Sequence, residues 1–112
     1  METLHDSDFH GKTLGRPGTW VVSFLADWCP FCRRFLAEFE GAKTPGEATL
    51  AVADVTDEGS RLWDDFSIEV VPTLMVFRDG KAIFREDSDL GVGLPPGSLG
   101  RATDVAATPR KE

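Results

Sequence analysis

Apolar residues in this chain come in short runs, and the spacing inside each run switches between strand-like and helix-like. Thr19 to Ala26 (TWVVSFLA) is apolar almost without interruption and rich in β-branched and aromatic residues. That profile predicts a central strand covered on both faces. From Pro30 to Glu40 the period lengthens, so that Phe35, Leu36 and Phe39 share one helical face. Pro30 suits the first helical position, where no N–H is needed, and Gly41 is a natural stop. Thr49 to Val55 (TLAVADV) predicts a second strand, and Ser60 to Phe66 a short helix turning Leu62, Trp63 and Phe66 inward. Thr73 to Arg78 (TLMVFR) reads as a third strand, Asp79-Gly80 as a hairpin turn, and Lys81 to Arg85 as its antiparallel partner.

The two ends are patterned less strongly. Asp6-Ser7-Asp8 predicts a short helix capped by Ser7 or Asp8, with Phe9 and Leu14 as its anchors. Gly15-Arg16-Pro17-Gly18 and Thr44-Pro45-Gly46 have the residues of turns. Beyond Glu86, the glycines at 91, 93 and 97 and Pro95-Pro96 break up any long element. Ser98 to Ala107 predicts one last helix, and 108–112 a tail. Strand, helix, strand, helix, hairpin and helix describe an α/β sandwich with a mixed sheet, expected as a single domain over 1–107.

Composition agrees with a self-sufficient core. Of 112 residues, 41% are hydrophobic, with eight Phe, three Trp and no Tyr, enough apolar material to fold without metal or disulfide staples. The formal charge of −7 excludes the basic face that phosphate contact requires, so nucleic acid is not an expected partner. The charge reads as a solubility feature, and Asp57-Glu58 with Asp64-Asp65 as a solvated face. Met1 to Asp6 lacks the basic start and apolar run of an export signal. The longest apolar stretch, Trp20 to Ala26, is too short to cross a membrane. A monomer in the cytoplasm, away from membranes, is the expectation.

Cys29 and Cys32 are the only cysteines, and they close too small a loop to brace a fold. Their value must be chemical. Asp27-Trp28-Cys29-Pro30-Phe31-Cys32 lies where the buried strand hands over to a helix. Unpaired N–H groups and the positive end of the helix dipole then face the Cys29 sulfur. An ordinary cysteine is only about 3% thiolate at pH 7, and lowering its pKa by about 1.5 units makes half of it reactive. Cys32, one turn later on the same side, is placed to attack a mixed disulfide on Cys29 and is expected to be deeper and less acidic. Trp28 is expected on the rim beside an exposed sulfur, and Trp20 and Trp63 in the core. A Cys2His2 metal set with His5 and His10 is disfavoured by Pro30 and by the histidine spacing, so no metal is expected. Neither histidine has the setting of a Cys–His nucleophile.

The passage VVSFLADWCPFC resembles the strand and active-site entry of the thioredoxin family, with Trp28 matching the Trp before its first cysteine. Val71-Pro72-Thr73, running into LMVFRDGK, is similar to the family's cis-proline loop, strand and hairpin turn. The likeness covers roughly residues 3 to 100. It implies a thioredoxin-like three-layer sandwich, a central mixed β-sheet flanked by helices. It also implies a thiol–disulfide oxidoreductase, with Cys29 as nucleophile and Cys32 as resolving thiol. Pro72 would be cis, leaving the Val71 backbone free to pair with an extended substrate segment. Gly91 or Gly93 would permit close approach of that segment, and Trp28, Pro30 and Phe31 would line its path. The implied partners are protein disulfides and an NADPH-dependent flavoenzyme of the thioredoxin-reductase kind; no bound cofactor is required.

The departures from the family pattern are specific. Pro30-Phe31 replaces the usual Gly-Pro and is nearer the Pro-aromatic pair of glutaredoxins, which leaves an oxidant, an isomerase or a glutathione-linked enzyme open. Ser23 stands where the family carries a buried Asp, and Ala53 where its Lys partner would be. Losing both charges together avoids a buried unpaired ion but removes the usual proton acceptor for Cys32, with Ser23 through a water, or Asp54, as substitutes. A redox-regulated binding module with little turnover is the remaining alternative. Ala37 replaces a helix-kinking proline.

Overall fold

Thr19–Leu25 (β4) is buried along nearly its whole length, because it lies at the centre of a five-stranded sheet and is covered on both faces. The computed structural model describes residues 1–44 and 46–108. Pro45 and the expected tail beyond Thr108 lie outside the described residues. The sheet order is β1-β5-β4-β6-β7, built from Glu2–Leu4 (β1), Thr49–Asp54 (β5), β4, Thr73–Arg78 (β6) and Lys81–Asp87 (β7). β1, β5 and β4 run parallel, whereas β6 and β7 join as antiparallel strands, giving the mixed sheet that the pattern predicts.

The turn from β6 to β7 shows why Asp79-Gly80 was legible. Asp79 and Gly80 have φ values of 49° and 89°, the left-handed pair that matches a two-residue hairpin to strand twist. The Leu14 N–H donates to the Gly80 carbonyl at 3.0 Å. A Cβ at residue 80 would come within 2.7 Å of the Leu14 carbonyl oxygen, so this position requires glycine twice over.

Strand pairing sorts the core into two faces. Trp20, Val22 and Phe24 stand beside Phe77, Met75 and Thr73 of β6 and share one face with Ala51 and Ala53 of β5. Val21, Ser23 and Leu25 share the other with Leu50, Val52 and Asp54 and with Val76 and Leu74. On the first face the rings of Phe9, Phe24, Phe66 and Phe77 meet at centroid distances of 5.2 to 5.9 Å, several of them edge to face. Leu62–Asp65 (α2) delivers Leu62 and the following Phe66 to this cluster.

Pro30–Glu40 (α1), whose Cys32 and Leu36 line a cavity with Leu25, Val52 and Asp54, lies over the second face, and Ser98–Ala107 (α3) packs on β4, β6 and β7. The Arg78 guanidinium at the end of β6 donates to the Val105, Ala106 and Thr108 carbonyls, closing the last turn of α3. Helices, sheet and helix form three layers. Helix α1 passes through Ala37 without a break.

The N-terminus corrects the sequence reading. Asp6–Asp8 forms one 3-10 turn, and its cap is His5, whose N–H donates to the Asp8 carboxylate at 2.9 Å. Phe9 and Leu14 are buried anchors, but they sit opposite each other in a small hairpin, Phe9–His10 (β2) with Thr13–Leu14 (β3). Gly11, at φ 57°, turns that hairpin. The predicted short helix is therefore a turn and two strands, and β1 is an added edge strand. Among the described residues no helix is long and apolar enough to cross a membrane.

Candidate active site

Cys29 caps α1. Its backbone is extended (φ −97°, ψ 118°) and the Cys32 N–H donates to its Sγ at 3.4 Å. Pro30 occupies the first helical position, so the helix begins with no wasted donor there. The Cys29 S–H donates to the Val71 carbonyl at 3.6 Å. Helix start and Val71-Pro72 loop thus meet at one sulfur. The Val71–Pro72 peptide bond is cis, and the loop is tied down by Ser88, whose hydroxyl donates to the Pro72 carbonyl at 2.6 Å.

Both thiols are reduced and buried, Cys29 at 7% exposure and Cys32 at 2%. The exposed sulfur that the sequence reading placed at Cys29 is corrected: a sulfur enclosed by the helix start and the Val71 loop has little surface left. The Ala26 N–H donates to Cys32 Sγ at 3.5 Å, yet burial dominates and pushes the Cys32 thiol up to about 12, with the Cys29 side chain adding to the rise.

Trp28 is 48% exposed beside Cys29. Its ring stacks on Trp63 at 6.3 Å and an interplanar angle of 9°, and its N–H donates to the Thr56 carbonyl at 2.9 Å. Trp63 is half-buried: it packs against the core as expected and also backs Trp28, its N–H reaching the Val55 and Asp57 carbonyls. Trp20 is buried, with Arg16 over its ring. Phe31, half-buried, faces the other flank. It lines a groove of about 220 Å³ with Pro72, Gly93 and Leu94, and the Arg34 guanidinium lies 5.5 Å from its ring centre. Gly93, at φ 100°, lets the chain pass the Phe31 ring, which a Cβ would approach to 3.3 Å. A Cβ at Gly91 would meet nothing within 4 Å. The structure brings Phe31, Pro72 and Gly93 together and leaves Gly91 apart.

Below the cysteines, the pairing of β4 with β5 corrects one correspondence. Val52 is the residue beside Ser23; Ala53 pairs with Phe24 and faces the opposite side of the sheet. Ser23 is fully buried, and its hydroxyl has no hydrogen-bond partner among the described residues. Asp54 lines a cavity of about 270 Å³ with Cys32, Leu25, Val52 and Leu36. Its carboxylate accepts from the Thr56 N–H at 2.9 Å, and hydrogen bonds from Thr56 hold it below the usual carboxylate range. Neither side chain hydrogen-bonds to Cys32.

Thr56, Trp63 and Ser88 are the residues that sequence reading missed. Thr56 accepts from Trp28 Nε1 and, through its hydroxyl, from the Asp27 N–H at 2.9 Å. Nothing in the local pattern marks Thr56 or Ser88, because each acts on a residue distant in the chain. His5 and His10 are exposed in the N-terminal elements, and no group of three His, Cys, Asp or Glu side chains among the described residues is arranged to hold a metal.

Residues 1–90 match the Thioredoxin family model. A thioredoxin of Rhodospirillum rubrum is 30% identical over 82 residues, covering 72% of this chain and 79% of its own. Protein disulfide-isomerase A3 of Gallus gallus is 38% identical over 80 residues, 70% of this chain but only 16% of that longer protein. Among solved structures, spinach chloroplast thioredoxin f superposes with a TM-score of 0.71 over 96% of this chain and 88% of its own at 17% identity, which shows a shared fold. A mutant thioredoxin of Halobacterium salinarum superposes at 0.63, with 25% identity, over 98% of this chain and 95% of its own.

Proposed function

The chain belongs to the thioredoxin family, and from that premise we propose that it reduces protein disulfides by dithiol–disulfide exchange through Cys29 and Cys32. The observation that carries the reading is the position of Cys29 Sγ between the Cys32 N–H and the Val71 carbonyl, where helix start and docking loop converge. The Cys29 thiolate attacks one sulfur of the substrate disulfide, whose S–S bond breaks, and the departing thiolate takes a proton from solvent. Cys32 then loses its proton and attacks Cys29 Sγ, breaking the mixed disulfide. The substrate leaves with both thiols, and its two electrons have come from the Cys29–Cys32 pair. The chemistry needs no bound cofactor.

The extended backbone of a substrate would pair with Val71 beside Pro72, while Trp28, Pro30, Phe31 and Gly93 line its path. Regeneration would fall to a reductase of the NADPH flavoenzyme kind, acting on a monomer in a reducing compartment such as the cytoplasm. The assay is reduction of insulin disulfides with a thiol as electron donor. Cys29→Ser is expected to abolish turnover, and Cys32→Ser to accumulate covalent mixed disulfides. Full turnover by Cys29→Ser would overturn the mechanism.

A second reading, an oxidant or isomerase, is favoured by Pro30-Phe31 between the cysteines and by the likeness to a protein disulfide-isomerase. The potential of the Cys29–Cys32 couple against glutathione separates the two: a strongly reducing value fits the first, an oxidising one the second. A binding module switched by the same pair would capture partners according to redox state yet turn over poorly.

A further inference from the structure

The Trp28–Trp63 stack has a neighbourhood that disulfide exchange by itself does not require. Trp28 keeps nearly half of its surface in solvent although one ring face is already covered by Trp63. Both indoles are pinned by their N–H groups to the same short loop: Trp28 to the Thr56 carbonyl, Trp63 to the Val55 and Asp57 carbonyls. The outer ring is thus held in place before any partner arrives, which lowers the ordering cost of a contact.

Carboxylates neighbour Trp28 and its Thr56 tether in the chain. Asp27 precedes Trp28 and its N–H is bonded to the Thr56 hydroxyl; Asp57 and Glu58 follow Thr56 directly. All three are exposed, and none of them forms an ion pair among the described residues. The Arg33 guanidinium donates to the Asp27 backbone carbonyl at 2.9 Å. On the opposite flank the Arg34 guanidinium lies 5.5 Å from the Phe31 ring centre. Resting on the oxidoreductase reading above, we propose that the Trp28 indole, backed by Trp63 and framed by Asp27 and Asp57, is a docking surface for a lysine or arginine next to the substrate's cysteine. A cation over an indole face is attracted by the ring quadrupole, and adjacent carboxylates strengthen the same contact. An acidic neighbour would be repelled here.

Three short peptides test this, each carrying one cysteine as a mixed disulfide with 5-thio-2-nitrobenzoate and differing only in a Lys, Ala or Glu beside that cysteine. Attack by Cys29 on the peptide sulfur breaks the mixed disulfide and releases the coloured thiolate, which gives the rate. Each rate is divided by that of dithiothreitol with the same peptide, which removes the peptide's own reactivity. The Lys peptide is expected to exceed the Glu peptide by about fivefold after this correction, and the ratio to shrink as salt screens the carboxylates. Asp27→Asn with Asp57→Asn should bring the ratio toward one, and Trp63→Ala should lower the Lys rate. A corrected ratio of one in the unaltered protein, a preference for Glu, or a ratio indifferent to salt overturns the docking surface. Failure to react even with the Ala peptide would overturn the oxidoreductase reading instead.

Discussion

Cys29 Sγ and the Val71 carbonyl oxygen lie 3.6 Å apart although 42 positions separate the two residues in the chain. The contact exists because β4 and β6 are neighbours in the sheet, so the loop leaving one strand and the loop entering the other meet at the same edge. Of the two sulfurs, Cys29 is the one at that edge. Cys32, one helical turn on, points toward the sheet and is bonded to the Ala26 N–H.

Cys32 is therefore expected to stay protonated through the physiological range, with its thiol pushed up to about 12 by burial. In a Cys29→Ala variant, where burial still acts but the Cys29 contribution is gone, carboxamidomethylation of Cys32 should be slower than that of free cysteine at pH 8 and should rise with pH. Reaction at the free-cysteine rate would refute the assignment. Because the folded state holds this proton more tightly than the unfolded chain, whose thiol titrates near 9.0, the stability it contributes is full below pH 9. It is then lost as pH rises toward 12. Urea unfolding of the unmodified protein across that window should show the decline.

Ser23 offers a test with the opposite sign to most core substitutions. Its buried hydroxyl has no partner among the described residues, so Ser23→Ala removes a desolvation penalty and should raise stability by about 1 kcal/mol. Ser23→Asp would place a buried carboxylate beside Val52 and Leu74, and should cost about 3 kcal/mol at pH 7. Chemical denaturation of the two variants measures both; a destabilised Ser23→Ala would mean that the hydroxyl does bonding work.

Glu86 joins β7 to α3, accepting from the Arg101 guanidinium at 2.6 and 2.7 Å and from the Ser98 hydroxyl at 2.6 Å. These bonds lower its pKa from the ordinary 4.5 to about 2. A depressed carboxylate gives stability that is present above the unfolded value, so its contribution should fade as pH drops from about 4.5 to about 2. Glu86→Gln should flatten that part of the stability curve and cost about 1 kcal/mol at pH 7. Thermal unfolding followed from pH 6 to pH 2 reads both effects.

The four-ring cluster concentrates packing in few side chains. Phe9 and Phe66 are in edge contact at 5.5 Å, and Phe9 is fully buried. Phe9→Ala should lower stability by about 3 to 5 kcal/mol in urea unfolding. A loss below 1 kcal/mol would mean that the N-terminal hairpin does not seal that face.

Much of this architecture was written locally. The unbroken apolar run of β4, the helical spacing of Phe35 and Phe39 in α1, and Asp79-Gly80 each specify an element by residues that are neighbours in the chain. The pair Cys29 and Cys32 was legible for the same reason: strand end, helix start and cysteine spacing all fall within one short segment. Local pattern failed where an element is made by its partner. Glu2-Thr3-Leu4 is too short to show a period and becomes a strand only by pairing with β5. Phe9 and Leu14 were correctly apolar anchors, but their burial in a hairpin rather than a helix follows from their pairing with each other.

Sequence alone therefore determined the main elements from Thr19 onward and where the reactive sulfurs sit along the chain, since periodicity and turn chemistry act between adjacent residues. Tertiary structure decided which side chains share a face. Strand register is set by non-local hydrogen bonding, and a slip of one residue exchanges the two sides of a strand. That is why Val52 and not Ala53 lies beside Ser23; the fold likewise sets Trp63 behind Trp28.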